Sequence, residues 1–558
     1  MMTRLFGNTI ELNKPFGTLE ENGTGKFEDI NDKALIGLSQ LGISHIWYTG
    51  VIEHALLTDY TSFGIAMDDA DVVKGRAGSP YAIKDYYDVN PDLAIDVKNR
   101  MLEFDRLVDR THGQGLKVII DFVPNHVARS YHSDSKPEGT EDLGTSDDKS
   151  RGFDPNNNFY YLPGQAFQVP KEYKQIGNNS FPTRDGKFDE NPAKATGNDQ
   201  FTATPSINDW FETVKLNYGV DYVNGRRTYF NPVPDTWNKM RDILVFWAGR
   251  NVDGFRCDMA EMVPVEFWHW VIPQVKAISS EIIFIAEIYN PQQYRNYLNN
   301  GRFDFLYDKV QLYDTLRLLI NNQGSVAWIP GIQKSMSGIN HNMVHFLENH
   351  DEQRIASPFF VGDPWKALPG LVVSATIDKG PIMIYFGQEV GEPGVGAEGF
   401  SSDDGRTTMF DYWGVPEHQK WVNKKKYDGG LLSDEQKALR QFHGDILTLA
   451  RNNPAISQGD YFDLTELNLN AKNCSDRVVS FARALGDERL VIIAGFNGKS
   501  EHVKIQLTNE TISAFGLKGS EQYIGRDLLR SGADIGLSQD YSFEIDIPPY
   551  SSFIVKIK

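Results

Sequence analysis

Seven short apolar, β-branched runs recur along this chain, and amphipathic stretches lie between them: 43–52, 116–123, 252–258, 282–288, 303–309, 343–348 and 381–389. A further run near LFGNTIEL completes eight. Within 93–112, Val97, Met101, Phe104 and Val108 fall three and four apart, one face of a helix that Gly113 and Gly115 end. Residues 235–250, 264–280, 311–322 and 433–452 read the same way. Strand–helix alternation of this kind builds a parallel sheet, and eight repeats close it into a (β/α)8 barrel. Three of the runs end in a carboxylate: Asp258 in VDGFRCDMAEM, Glu287 in IIFIAEIYN and Asp351 in HFLENHDEQR. Acids at the C-terminal ends of barrel strands are where such a fold places its chemistry. A carboxyl pair about 5 Å apart serves retaining glycoside hydrolysis.

Two regions break the rhythm. From His126 to Pro234 the chain is rich in Asn, Gly, Pro, Asp and aromatics, as in FDPNNNFYYLPGQAF and NNSFPTRDGKFDENP. A structureless loop of that length is improbable, so 127–234 is expected to be a subdomain inserted after the third strand. After Asn453-Pro454 helical periodicity gives way to strand alternation (RVVSFARAL, RLVIIAGFN, HVKIQLT, YSFEIDI, SSFIVKIK). The expected organisation is a barrel over 1–126 and 235–453, the insertion at 127–234, and a C-terminal β-sandwich over 454–558.

The 558 residues exceed one ordinary core, and 40% hydrophobic and 12% aromatic residues supply ample interior. A formal charge of -19 repels nucleic acid and anionic membranes and leaves a neutral saccharide unaffected. No apolar run is long enough to span a bilayer. The stretch MMTRLFGNTIELN has no signal-peptide core, which leaves the compartment open between cytoplasmic and periplasmic or extracellular. Cys257 and Cys474 lie far apart and are not expected to pair, and no transition-metal motif is present. Oligomeric state is not legible.

The segments DFVPNH (121–126), GFRCD (254–258), AEIY (286–289) and FLENHD (346–351) resemble, in order, the four signature segments of the α-amylase family, glycoside hydrolase family 13. TPSIND (204–209) resembles a fifth, and SPYAIKDYYDVNP (79–91) resembles the loop after the second strand. The resemblance covers roughly residues 20–450. It implies that Asp258 is the nucleophile, Glu287 the general acid and base, and Asp351 the acid that binds hydroxyls of the distorted ring. It further implies that Arg256 keeps Asp258 ionised, that His126 and His350 bind sugar hydroxyls, and that Tyr81 stacks on a sugar face. Independently of the family, a nucleophile must be anionic, which a neighbouring guanidinium favours, and a general acid must keep its proton, which a drier setting favours. Asp121 is expected to support its loop.

The sequence also departs from the pattern. Many family members carry a Lys-His pair after the nucleophile segment that helps bind calcium, and this chain has Glu261-Met262 there. Met262 offers no oxygen. This weighs against a structural calcium, for which Asn125 is the one candidate ligand and insufficient alone. EENGTGKFE (20–28) faintly resembles a calcium loop but reads better as a Gly-rich turn. GRTTMFDYW (405–413) resembles a segment that supplies a substrate-binding Arg in some exo-acting members, which makes Arg406 a candidate subsite residue. Phe159, Tyr160, Tyr161 and Trp210 are expected to divide between subdomain core and sugar platforms. No cofactor is needed for the chemistry. The resemblance points to an α-1,4-glucan hydrolase. A transglycosylase or a cyclodextrin- or maltooligosaccharide-trimming enzyme shares the same acids, and an inactive sugar-binding member is the reading from a different class.

Overall fold

The computed structural model describes residues 1–173, 184–397, 403–530 and 534–558. Residues 174–183 of the expected insertion lie outside the described residues. Parallel strands follow one another in the order His45–Tyr48, Lys117–Phe122, Gly254–Cys257, Ile283–Ala286, Phe305–Tyr307, Met343–Phe346 and Ile382–Met383. This is the sheet of a (β/α)8 barrel, and each strand lies inside one of the seven apolar runs. The eighth strand differs from expectation. LFGNTIEL forms no strand, and Thr3–Phe6 is a helical turn. The parallel pairing falls at the very start of the chain instead, where Met2 bridges Thr49 and the Thr49 N–H donates to the Met1 carbonyl at 2.9 Å. Arg4 accounts for the displacement: its buried guanidinium donates to the carbonyls of Ala77 and Gly78, each at 2.9 Å, and this holds the following residues in a turn.

The chain divides into two compact units. The first comprises Met1–Ser39, Ser44–Phe305 and Val395–Leu431. Its four parallel strands hold one register, with Phe255 opposite both Ile120 and Phe284. Gly254 is required there, because a Cβ would stand 2.6 Å from the Ile283 side chain. The helix Arg100–Gly113 buries Phe104, Leu107, Val108 and Thr111 on one stripe. It starts later than its periodicity predicts, because Asn90 and Asp96 each cap a short 3-10 turn ahead of it. Asp235–Ala248 and Val265–Lys276 match the next two expected helices. Between them and the Lys117–Phe122 strand, the strands among the described residues form short pairs: His126–Ala128 with Thr213–Lys215, Tyr161–Leu162 with Ala193–Lys194, and Val220–Asp221 with Arg227–Thr228.

The second unit comprises Gln40–Ile43, Leu306–Gly394 and Leu432–Lys558. The helix Asp434–Asn452 opens on a Ser433–Gln436 capping box, and the helix Leu368–Thr376 is buried on every side. Both pack in one core with Val479, Phe481, Ile492 and Ile554 of the C-terminal strands. That all-β region has a six-stranded sheet in the order Asp460–Asp463, Val478–Leu485, Glu488–Gly495, Ser552–Ile557, Ile524–Asp527, Ile535–Gly536, and a pair Glu501–Gln506 with Ser542–Ile547. Both cysteines are free. Among the described residues no helix is long and apolar enough to cross a membrane.

Candidate active site

Asp258 and Glu287 stand one residue beyond the ends of neighbouring strands. Backbone bonds from Asp258 to the Phe122 carbonyl (2.9 Å) and from Glu287 to the Cys257 carbonyl (3.1 Å) carry the ladder to them. Arg256, two residues before Asp258, faces the same way as strand alternation requires. Its guanidinium is fully buried and reaches Asp258 at 2.8 Å, Glu287 at 2.8 Å and Asp121 at 3.5 Å. The rings of Trp47 and Tyr81 lie 5.0 and 5.4 Å from the same cation. Directly after Asp258, Met259 adopts φ 41°, a left-handed conformation costly for a side chain of its size, and its N–H donates to Glu287 Oε2 at 2.8 Å. Tyr289 donates its hydroxyl to the other oxygen, Oε1, at 2.6 Å. Glu261 steadies that segment by accepting the N–H groups of Tyr289 and Asn290, each at 3.2 Å.

The electrostatics depart from expectation at Asp258. Burial raises its pKa, and Arg256 opposes that without reversing it, because the guanidinium is shared with Glu287. Glu287 is raised as well, first by burial and further by the Asp258 charge, with Arg256 opposing. Both carboxyls are held on the same guanidinium. Such a pair takes up protons jointly. Asp121 is more than loop support: burial pushes it up to about 7, against the pull of Arg256 and of the Trp47 N–H, which donates at 2.9 Å. The site thus sets two buried carboxyls, both favoured toward the protonated form, on one guanidinium.

His126 is buried 5.1 Å from the Trp210 ring, and burial lowers it to about 4, so its imidazole is neutral. Tyr81 is nearly buried beside Arg256. Phe159, Tyr160 and Tyr161 are core residues, with the Tyr160 hydroxyl donating to the Val220 carbonyl at 2.7 Å, and Trp210 alone of the four is partly open. Arg406 is exposed, 3.5 Å from Asp404. In the second unit the loop after Met343–Phe346 brings His350 and Asp351 together at 3.2 Å, with the Asp351 N–H capped by Asn349 at 2.8 Å.

The residues around Asn125 do not fit a calcium ion. Asn125 Oδ1 accepts a hydrogen bond from the buried Lys215 ammonium at 2.7 Å, and Lys215 also pairs with Asp199 at 2.5 Å. The Asn125 amide donates to the Gly197 carbonyl at 2.8 Å, which fixes the orientation of its oxygen. An ammonium therefore takes the place that a cation would share with these oxygens. In the 20–28 segment, Glu21 closes a capping box with Thr18 and pairs with Lys14 at 2.5 Å, as a turn before a helix requires. Sequence reasoning did not single out Tyr289 or Lys215, and met Glu261 only as a departure from the Lys-His pair. Tyr289 lay within the AEIY segment, and Lys215 carries no local signal.

The catalytic-domain model of the alpha-amylase family matches residues 12–428, three quarters of the chain. Alpha-amylase MalA of Haloarcula japonica is 22% identical over 490 residues, covering 86% of this chain and 54% of its own. The cyclomaltodextrin glucanotransferase of Geobacillus stearothermophilus is 24% identical over 474 residues, covering 81% and 53%. The chain thus spans about half the length of both relatives. Among solved structures, a maltogenic alpha-amylase from Thermotoga neapolitana shares the fold with a TM-score of 0.61 at 18% identity, covering 95% of each chain. An alpha-amylase from Geobacillus thermoleovorans in complex with acarbose does so at 0.61 and 17%, covering 100% of this chain and 97% of its own. With the model match spanning most of its length, this chain belongs to the alpha-amylase family.

Proposed function

We propose that this chain is a retaining glycoside hydrolase that cleaves α-1,4-glucosidic bonds in starch-like glucans or maltooligosaccharides. The observation that carries the reading is the pair Asp258–Glu287, buried one residue beyond the ends of neighbouring parallel strands and bridged by Arg256, which reaches each at 2.8 Å. Carboxyls held on one guanidinium suit the short separation of retaining enzymes, whereas inverting enzymes need about 6.5–9.5 Å to admit a water between acid and base. In the first step Asp258 attacks the anomeric carbon as Glu287 passes its proton to the departing glycosidic oxygen, leaving a glycosyl ester on Asp258. In the second, Glu287 takes a proton from water, whose oxygen attacks the same carbon and frees Asp258. One water is consumed, both carboxyls are restored, and two inversions give net retention. Arg256 holds the anion in each step. Neutral His126 is suited to hydrogen-bond a hydroxyl, and the open Trp210 ring beside it to meet a sugar face. Asp351 and His350 are assigned to sugar hydroxyls on the strength of the FLENHD segment, and Arg406 to an outer subsite on its segment alone.

The same pair performs transfer if a sugar hydroxyl replaces water in the second step, as the name of the glucanotransferase relative describes for that protein. Incubation with maltoheptaose and with starch separates the readings by product length and anomeric form. Internal cuts with α-products support the amylase reading. Products longer than the substrate move the assignment to a transferase, and β-products overturn retention.

A further inference from the structure

A second group of buried acids lies apart from the catalytic pair in the sequence, and the mechanism does not use it. Glu53 sits on the strand Ile52–His54, and Asp85 and Asp88 on the strand Ile83–Val89. The two strands are antiparallel, with Ile52 opposite Val89 and Glu53 opposite Asp85, so residues 86–88 have no partner across the ladder. On a regular strand Asp85 and Asp88 would face opposite sides. The bulge removes that constraint, and one oxygen from each of Glu53, Asp85 and Asp88 lies within 4.8 Å of the others.

All three side chains are almost wholly buried. Asp85 accepts the Tyr87 N–H (2.7 Å), the Ser133 hydroxyl (2.6 Å) and the Ser135 N–H (3.0 Å). Asp88 accepts the Val89 N–H (2.7 Å), the Ser135 hydroxyl (2.7 Å) and the Arg100 guanidinium. Glu53 stands apart: it is 1% exposed, and neither of its oxygens accepts a hydrogen bond. Its ion-pair partner, Lys84, is 4.0 Å away and stands closer to Asp68, at 3.2 Å. Four carboxylates (Glu53, Asp68, Asp85 and Asp88) therefore face two cationic side chains, Lys84 and Arg100. A buried excess of two negative charges is costly unless cationic charge or protons neutralise it.

We propose that Glu53, Asp85 and Asp88 form a binding site for a single divalent cation of the calcium class. The donors are carboxylate oxygens, with the Ser133 and Ser135 hydroxyls at the edge, and no nitrogen or sulfur. Such a set selects hard cations, and its irregular geometry suits calcium better than octahedral magnesium. A charge of +2 matches the excess. The ion clasps the hairpin that follows Tyr81 to the 133–135 segment that follows His126, so it stiffens the stretches carrying two proposed sugar-binding residues.

The test uses the full chain stripped with a chelator and dialysed against calcium chloride or magnesium chloride. Equilibrium dialysis is expected to find one tightly held calcium per chain, and the thermal midpoint to rise by several degrees with calcium and less with magnesium. Glu53→Gln and, separately, Asp85→Asn are expected to abolish both effects, while Lys215→Met, at the ammonium beside Asn125, leaves the calcium response in place. Wild-type protein that binds no calcium and shows the same midpoint with either salt overturns the proposal and leaves protons as the neutralising charge. Retention of the calcium response in a folded Glu53→Gln variant also overturns it, by placing the ion elsewhere. If neither variant folds, the wild-type dialysis decides alone.

Discussion

Two buried cations in this molecule are each clamped between carboxylates, and they serve opposite ends. In the second unit His345 lies between Asp308 at 3.1 Å and Asp378 at 2.9 Å. Burial works against its charge, but the two acids outweigh it and push the imidazole up to about 10. Arg483 also acts on Asp378 and spends its donors on the carbonyls of Ala455, Ile377, Ile456 and Gly459, so Asp378 has a second cation beside it. In the first unit Arg256 faces Asp121, Asp258 and Glu287 at once. The balanced cluster has nothing to exchange and ties a strand to its neighbours. The acid-rich one favours the protonated form of its carboxyls, and a held proton beside an anion is what acid–base chemistry consumes.

The comparison breaks most visibly at the acids themselves. Glu287→Gln should lower turnover of maltoheptaose by about ten-thousandfold, and Asp258→Asn by at least as much. Thermal midpoints should stay the same or rise, because each change relieves the excess of acid. His345→Gln should do the reverse: it costs about 3–5 kcal/mol in urea unfolding by leaving buried carboxylates without their cation. Because the folded pKa of His345 lies above its ordinary 6.5, its stabilisation is complete below that pH and is lost as pH rises through about 10. A chemical-unfolding series in alkaline buffers, wild type against variant, reads this directly.

Smaller changes sharpen the contrast. Tyr289→Phe removes the hydroxyl that lowers the Glu287 pKa. Turnover should drop about tenfold, the cost of one charge-assisted hydrogen bond, and the alkaline limb of the pH–rate profile should move to higher pH. Asp121→Asn should show the least effect on rate. Its effect belongs to stability: Asp121 is raised from 3.8 to about 7, so the wild type loses stability as pH rises through that window and the variant is spared this loss. Unfolding free energies that fall equally in both would remove Asp121 from the cluster.

The parallel strands were legible because each is a continuous apolar run, and so were the positions of Asp258 and Glu287, because each directly follows one. The helix Leu368–Thr376 was not, because all nine of its residues are buried and it carries no amphipathic stripe. Lys215 was illegible for another reason: its partner Asn125 is 90 residues away, and a contact of that span leaves no mark in local spacing. Arg256 was expected to partner Asp258 because the GFRCD segment resembles a family signature. That Glu287 shares it depends on the register of two strands, which periodicity alone does not set.

The central claim is that Asp258 takes the sugar covalently. A fluorinated α-glucosyl fluoride, which forms the glycosyl ester quickly and hydrolyses it slowly, followed by peptide mapping in a mass spectrometer, tests it most directly. The account predicts one glucosyl adduct per chain, on Asp258, and none in Asp258→Asn. An adduct on another residue, or steady retention of turnover in Asp258→Asn, would contradict it.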